Sequence, residues 1–160
     1  VTIVSQQQYE RVNSYIDLGR KEGGTAHACS ALPEDAKLAK GYFVRPVIFT
    51  DLPEDSRCIR EDIFGPVTAV SRFTTYEEAI AKANDSEYGL AATIWTKDLQ
   101  TALDATKRLE AGFVQVNQNL VVLPNLSYGG TKKSGLGKEA SLDAMLDNFT
   151  QQKTVILNMT

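Results

Sequence analysis

Histidine is almost missing from this sequence: His27 is its only imidazole, and Cys29 and Cys58 are its only thiols. One His and two Cys are too few soft ligands for a zinc site, so no metal centre is expected. Two lone thiols in a chain of 160 residues point instead to a reducing, cytoplasmic setting. Also missing is any apolar run near the ~18 residues of a membrane span, and no secretory signal opens the chain. Positive charge is not in excess either. Lys and Arg number 17 against 20 Asp and Glu, giving a net charge of −3 and a pI near 5.2. That leaves no electrostatic footprint for nucleic acid or an anionic membrane. No internal repeat or low-complexity tract is present.

What is present suits one ordinary globular domain with a real core, since 42% of the residues are hydrophobic. The first residue is Val rather than Met, and a helix pattern begins almost at once. The chain is therefore expected to be a piece of something longer. Ser5-x-x-Gln8 has the spacing of a capping box, in which each side chain satisfies a free backbone N–H. Tyr9, Val12, Ile16 and Gly19 then repeat on one helix face, and Gly23-Gly24 stops the helix. Residues 25–41 read as loop with one short strand around His27–Ser30. "YFVRPVIFT" (Tyr42–Thr50) is β-rich, but Pro46 lacks a ladder donor, which predicts an edge or irregular strand.

The middle is more regular. Strands are expected at Val67–Phe73, Leu90–Thr96 and Phe113–Asn117. Between them, one helix is capped by Thr75 and Glu78, with Tyr76, Ala79, Ile80 and Ala83 inward. The other starts at Asp98, with Ala102, Leu103, Thr106 and Leu109 inward. Strand, helix, strand, helix, strand with short connections predicts two βαβ crossovers, hence an α/β fold with a parallel sheet and flanking helices. Residues 118–138 form a long polar, Gly-rich loop, unusual in a compact domain unless it has a function. Ser141 caps a last helix with Leu142, Met145, Leu146 and Phe149 inward, and "KTVILN" (Lys153–Asn158) reads as a final strand.

Several short signals invite chemistry. His27-Ala28-Cys29 puts imidazole and thiol on one side of a strand, the raw material of a Cys–His pair. No Asn or Asp is placed to orient the ring, so a small-residue surface segment is the plainer reading. Cys58 lies between Arg57 and Arg60, whose charge favours a thiolate; a filler Cys at a strand–loop junction is far commoner. "GLGKEA" (Gly135–Ala140) matches the dinucleotide fingerprint, but a loop precedes it where a strand is required. Ligands of parallel α/β sheets gather beyond the carboxyl ends of the strands, which singles out Asn117, Gln118 and the loop after them. By periodicity alone, Phe64 in "CIREDIFGPVTAV" is a core anchor.

"EDIFGPV" (Glu61–Val67), "ANDSEYGLAATIWTKD" (Ala83–Asp98), "LEAGFVQVN" (Leu109–Asn117) and "SYGGTKKSGLGKE" (Ser127–Glu139) fall in order along the chain. Together they resemble the C-terminal part of NAD(P)-dependent aldehyde dehydrogenases, from Ser5 to Val155. The resemblance implies oxidation of an aldehyde to a carboxylic acid through a thiohemiacetal on a catalytic Cys, with NAD or NADP taking the hydride. It implies that the acidic position before Ile63 bonds the nicotinamide ribose and that Phe64 packs beside the nicotinamide ring. That position is normally Glu; here it is Asp62, one methylene shorter, with Glu61 beside it to share the role. The loop after Asn117 lines the aldehyde tunnel in the family, which makes Asn117, Gln118, Leu120, Val122, Leu123 and Tyr128 wall candidates.

The family's nucleophilic Cys, its general-base Glu and its cofactor-binding domain all lie before the first residue given. The chain is thus expected to be inactive alone. It divides into a partial catalytic domain, residues 1–148, and a terminal oligomerisation strand, residues 149–160, which pairs with a neighbouring subunit to build a dimer or tetramer. "GLGKEASLDAM" resembles the betaine- and aminoaldehyde-type branch. Two rivals stand beside this reading: a non-catalytic interaction module that uses its exposed strand edge, and a stand-alone nucleotide-binding domain built on Gly135–Ala140.

Overall fold

The computed structural model describes residues 1–29, 31, 41–119 and 121–159. Leu120 and Ser30 therefore lie outside the described residues. The architecture is mixed α/β and divides into two units, Val1–Phe73 and Thr74–Thr160.

In the first unit, helix α1 spans Gln6–Lys21 and starts where its cap predicts, with Ser5 Oγ accepting from the Gln8 N–H at 3.2 Å. Val12, Tyr15, Ile16 and Gly19 are its buried residues. Strand β1, Thr25–Ala28, pairs antiparallel with β2, Val47–Thr50, and β2 pairs parallel with β3, Val67–Ala69. A short helix α2, Arg57–Arg60, lies in the crossover from β2 to β3. The expected edge strand is thus the central one of the three. Pro46 does no harm because it stands just before the ladder; its carbonyl still accepts from the Cys29 N–H at 2.9 Å. The core joins Val12, Tyr15 and Ile16 to Val44, Val47, Phe49, Cys58 and Ile63. Phe49 and Val12 are fully buried, each contributing about 1.5–3 kcal/mol by leaving water.

The second unit opens with α3, Tyr76–Asn84, then β4, Tyr88–Gly89, and β5, Ala91–Ile94. Helix α4, Leu99–Arg108, leads to β6, Phe113–Val116, which pairs parallel with β5. That is the expected crossover through α4. Val67–Ala69 takes its parallel partner from β2, through a connection the periodicity did not single out. Asp98 caps α4 by accepting from the Gln100 and Thr101 N–H groups. Its buried residues are Ala102 and Ala105, whereas Leu103 is exposed, so the inward face is narrower than predicted. Strand β7, Thr131–Lys132, pairs antiparallel with β4, and helix α5 spans Leu142–Phe149.

Two sequence expectations fail near the C-terminus. Leu142, Met145, Leu146 and Phe149 share a face of α5, yet none is buried. Amphipathic spacing shows that a face is apolar; burial also needs something to cover it. Residues 153–158 form no strand, because they join no β-ladder among the described residues.

Candidate functional site

The turn between α2 and β3 carries Glu61, Asp62 and Phe64, and all three line a cavity of about 460 Å³ within the first unit. Phe64 is not a core anchor. The residue is 80% exposed, on a backbone with φ of 55°. A non-glycine residue in that left-handed region costs of order 1 kcal/mol, and it persists only where its surroundings over-determine it. The anchor of this turn is the neighbouring Ile63, which is buried in the core. Gly65 then lets the turn close onto α1: a Cβ there would stand 2.4 Å from Val12 Cγ2. Asp62 is exposed, and its carboxylate has no partner among the described residues.

The surroundings that fix this turn come from one face of α1. Gln8 Nε2 donates to the carbonyl oxygens of Ile63 and Phe64, at 2.9 Å each. The predicted capping box is therefore half made, because the Gln8 side chain serves the turn rather than its own helix end. Arg11 Nη2 donates to the Asp62 carbonyl at 3.0 Å and to the Tyr15 hydroxyl at 3.3 Å. The Tyr15 hydroxyl in turn donates to the Glu61 carboxylate. Arg57 closes the set with two bonds to the same carboxylate, Nε to Oε1 at 2.6 Å and Nη2 to Oε2 at 3.1 Å. The guanidinium carbons of Arg11 and Arg57 lie 5.0 and 5.6 Å from the Tyr15 ring centroid, within cation–π range. Arg57 first, then Tyr15, holds the Glu61 carboxyl down to about 2, while the same contact raises the Tyr15 hydroxyl. Sequence reasoning singled out none of Gln8, Arg11, Tyr15 and Arg57 for this part; the only hint was that polar residues at 8 and 11 share a helix face with Tyr15.

Neither thiol has the setting of a nucleophile. Cys58 is buried, its Sγ points to the Tyr15 carbonyl at 3.3 Å, and burial raises its pKa. A thiol held neutral is a filler side chain. Cys29 is exposed, and His27 turns its Nε2 to Thr50 Oγ1 at 3.1 Å rather than to the thiol.

The remaining candidates belong to the second unit. Asn117 ends β6 with φ of 54°, and its side-chain amide exchanges two hydrogen bonds with the Thr96 backbone, 3.0 and 2.9 Å. It extends the β5–β6 ladder by one step. Gln115, the buried member of β6, bonds the Val121 backbone through both ends of its amide, at 3.0 and 3.3 Å, and so pins the start of the loop. Gln118, Val122 and Leu123 are exposed. Tyr128 stacks edge-on against Phe113 with centroids 5.1 Å apart. Beside it, Lys138 Nζ donates to the Gly129 and Gly130 carbonyls at 2.7 and 3.1 Å. Gly135–Ala140 is thereby a brace for the Tyr128–Gly130 turn, and it opens no helix.

The Aldehyde dehydrogenase family model matches residues 1–155. The NAD(P)+ aldehyde dehydrogenase 2 of Saccharomyces cerevisiae is 42% identical over 159 residues, 99% of this chain and 31% of that protein. Betaine aldehyde dehydrogenase of Rhizobium johnstonii is 41% identical over 157 residues, 98% of this chain and 32% of that protein. Among solved structures, the NAD+ complex of an aldehyde dehydrogenase from Bacillus cereus matches with a TM-score of 0.87 and 42% identity. It covers 99% of this chain and 31% of the other. The chain thus spans about a third of the length of the relatives it matches. With the family model covering nearly the whole chain and the fold following the sequence match, this chain belongs to the aldehyde dehydrogenase family.

Proposed function

We propose that these residues are the cofactor-facing turn and part of the aldehyde-binding wall of an NAD(P)-dependent aldehyde dehydrogenase, which oxidises an aldehyde to a carboxylic acid. One observation carries the reading: an exposed aromatic residue, Phe64, held in a left-handed backbone beside the carboxylate of Asp62, which has no partner among the described residues. A ring and a free acceptor at one cavity fit a nicotinamide riboside, whose ring stacks and whose hydroxyls donate. The chemistry supplied by NAD or NADP there is acceptance of hydride from the aldehyde carbon. Asp62 accepts the ribose hydroxyls, Phe64 fixes the ring plane, and Glu61 supports the turn from behind.

Asn117, Gln118, Val122, Leu123 and Tyr128 supply the wall on the aldehyde side. Leu120 belongs to the same stretch of sequence. The nucleophilic Cys and its Glu base are assigned to a part of the longer protein that these residues do not include, so the 160-residue chain alone turns over no aldehyde. Residues 149–160 pair with a neighbouring subunit, which makes the enzyme a dimer or tetramer, and its unpaired thiols suit the cytoplasm. The branch of aldehyde is left open, since a betaine aldehyde dehydrogenase and a general NAD(P)+ enzyme match about equally well.

The test is NAD titration of the full-length protein and of this chain. The full-length protein binds and turns over, and the 160-residue chain binds weakly with no turnover. Genuine aldehyde-dependent NADH formation by the chain alone would overturn the assignment of the nucleophile.

A further inference from the structure

The face of α1 that carries Gln8, Arg11 and Tyr15 does more than cover the core. Its three side chains, spaced three and four residues apart, meet four consecutive residues of the turn, Glu61 to Phe64. Every contact but one ends on a main-chain carbonyl, so what the face controls is backbone geometry rather than any one side chain. The exception is Glu61, whose carboxylate takes Arg57 through both nitrogens and the Tyr15 hydroxyl as well. Asp62, next in sequence, is exposed, and its carboxylate takes no part in this set and has no partner among the described residues.

We propose that Tyr15, Arg57 and Glu61 form a positioning clamp, which holds the turn in the conformation that presents Asp62 and Phe64 to the nicotinamide riboside. This rests on the function proposed above. The clamp residues touch no cofactor; they act through the two residues that do. Glu61 is accordingly a positioning residue, and its charge is spent on Arg57 and Tyr15 rather than on the ribose. The physical reason a clamp is needed lies at Phe64. A left-handed non-glycine residue relaxes to the common backbone regions unless it is held, and relaxation swings its exposed ring away.

The experiment uses the full-length protein with Tyr15→Phe, which deletes one hydroxyl while the ring stays packed, and Arg57→Gln at an exposed position. Asp62→Asn and Phe64→Ala are made beside them. Two quantities are read: NAD affinity by calorimetry, and hydrogen exchange of the amides of residues 61–65 without cofactor. Each clamp variant is expected to weaken NAD binding roughly three- to tenfold, the effect of one lost charge-assisted bond. Exchange in residues 61–65 should quicken by more than any fall in the thermal midpoint accounts for, while the KM for aldehyde holds. In the Phe64→Ala background the clamp variant should lose most of its further effect, because coupled residues do not add. If Tyr15→Phe lowers the thermal midpoint, Arg57→Gln alone decides. Unchanged NAD affinity in the clamp variants, with weakened affinity in Asp62→Asn and Phe64→Ala, overturns the clamp and leaves the cofactor assignment standing. Full additivity with Phe64→Ala also overturns it. If Asp62→Asn and Phe64→Ala themselves bind NAD normally, the cofactor assignment fails and the clamp fails with it.

Discussion

Gln8 and Phe64 stand 56 residues apart in the chain, yet the Gln8 side-chain amide lies 2.9 Å from the Phe64 carbonyl oxygen. The same nitrogen reaches Ile63 at 2.9 Å. A helix cap residue has become the fastener of a turn. Gln8→Ala removes both bonds, one of them to the carbonyl of the buried Ile63. It is expected to cost about 1 kcal/mol in urea unfolding and to speed hydrogen exchange at Ile63–Gly65. Unchanged exchange there would mean that the turn is held without Gln8.

Phe64→Ala should separate stability from function. Phe64 is 80% exposed, so loss of its ring should change stability by no more than about 0.5 kcal/mol. In the full-length enzyme, losing one ring contact is expected to slow hydride transfer about tenfold, or ~1–2 kcal/mol. Phe64→Gly should go further and stabilise the turn slightly, since glycine bears φ of 55° without strain. Asp62→Glu, restoring the family's longer acid, should keep or improve cofactor use. A Phe64→Ala enzyme with wild-type hydride transfer would remove the cofactor role from this residue.

Much of the scaffold was legible in the sequence, because caps and periodicity are local. Ser5, Thr75, Asp98 and Ser141 all cap the helices they announce, and β5 and β6 pair in parallel around α4. The clamp was not legible. Tyr15 and Glu61 meet across 46 positions, and the other bonds from α1 to the turn span 51 to 56 and end on carbonyls that any residue could present. The exposure of Phe64 was hidden from periodicity for a different reason: φ above zero breaks the alternation on which a strand reading depends. On α5, the spacing was right and the burial wrong, since a single chain's pattern does not say what lies opposite.

Acid should loosen the turn in a defined window. The folded-state pKa of Glu61, about 2, lies below the ordinary value. That ordinary value is roughly 4.3. Stability from the ionised carboxylate is thus present above the ordinary value and is lost as pH falls through the folded one. Denaturation of wild type and Glu61→Gln at pH 6 and again near pH 3 isolates this group from the other acids. The gap between the two proteins should narrow as pH falls. A constant gap would show that the pairing with Arg57 and Tyr15 is not felt in solution.

The thiols should prove dispensable. Cys29→Ser changes an exposed side chain and should alter neither stability nor turnover of the full-length enzyme. Cys58→Ser puts a hydroxyl into the core beside the Tyr15 carbonyl, for a modest stability loss of about 1 kcal/mol with turnover intact. Turnover abolished without unfolding in either variant would show that the nucleophile had been misplaced.

The last prediction concerns association. Ile156 and Leu157 are 89% and 80% exposed, Phe149 on α5 is 83% exposed, and residues 153–158 pair with no strand among the described residues. An apolar, β-rich segment that joins no ladder is a template for another chain. Its exposed side chains add a hydrophobic drive that a lone strand edge lacks. The 160-residue chain is therefore expected to sediment as an oligomer or a broader association. Ile156→Lys with Leu157→Lys should shift it toward monomer, because two charges cannot enter a dry interface without a large desolvation cost. Val4→Lys is the control: Val4 is 93% exposed at the other end of the chain, and a charge there should leave association unchanged. If both variants dissolve the oligomer equally, general charge rather than the terminal segment controls association. A wild-type chain that sediments as a clean monomer would rule out the terminal segment as a pairing edge.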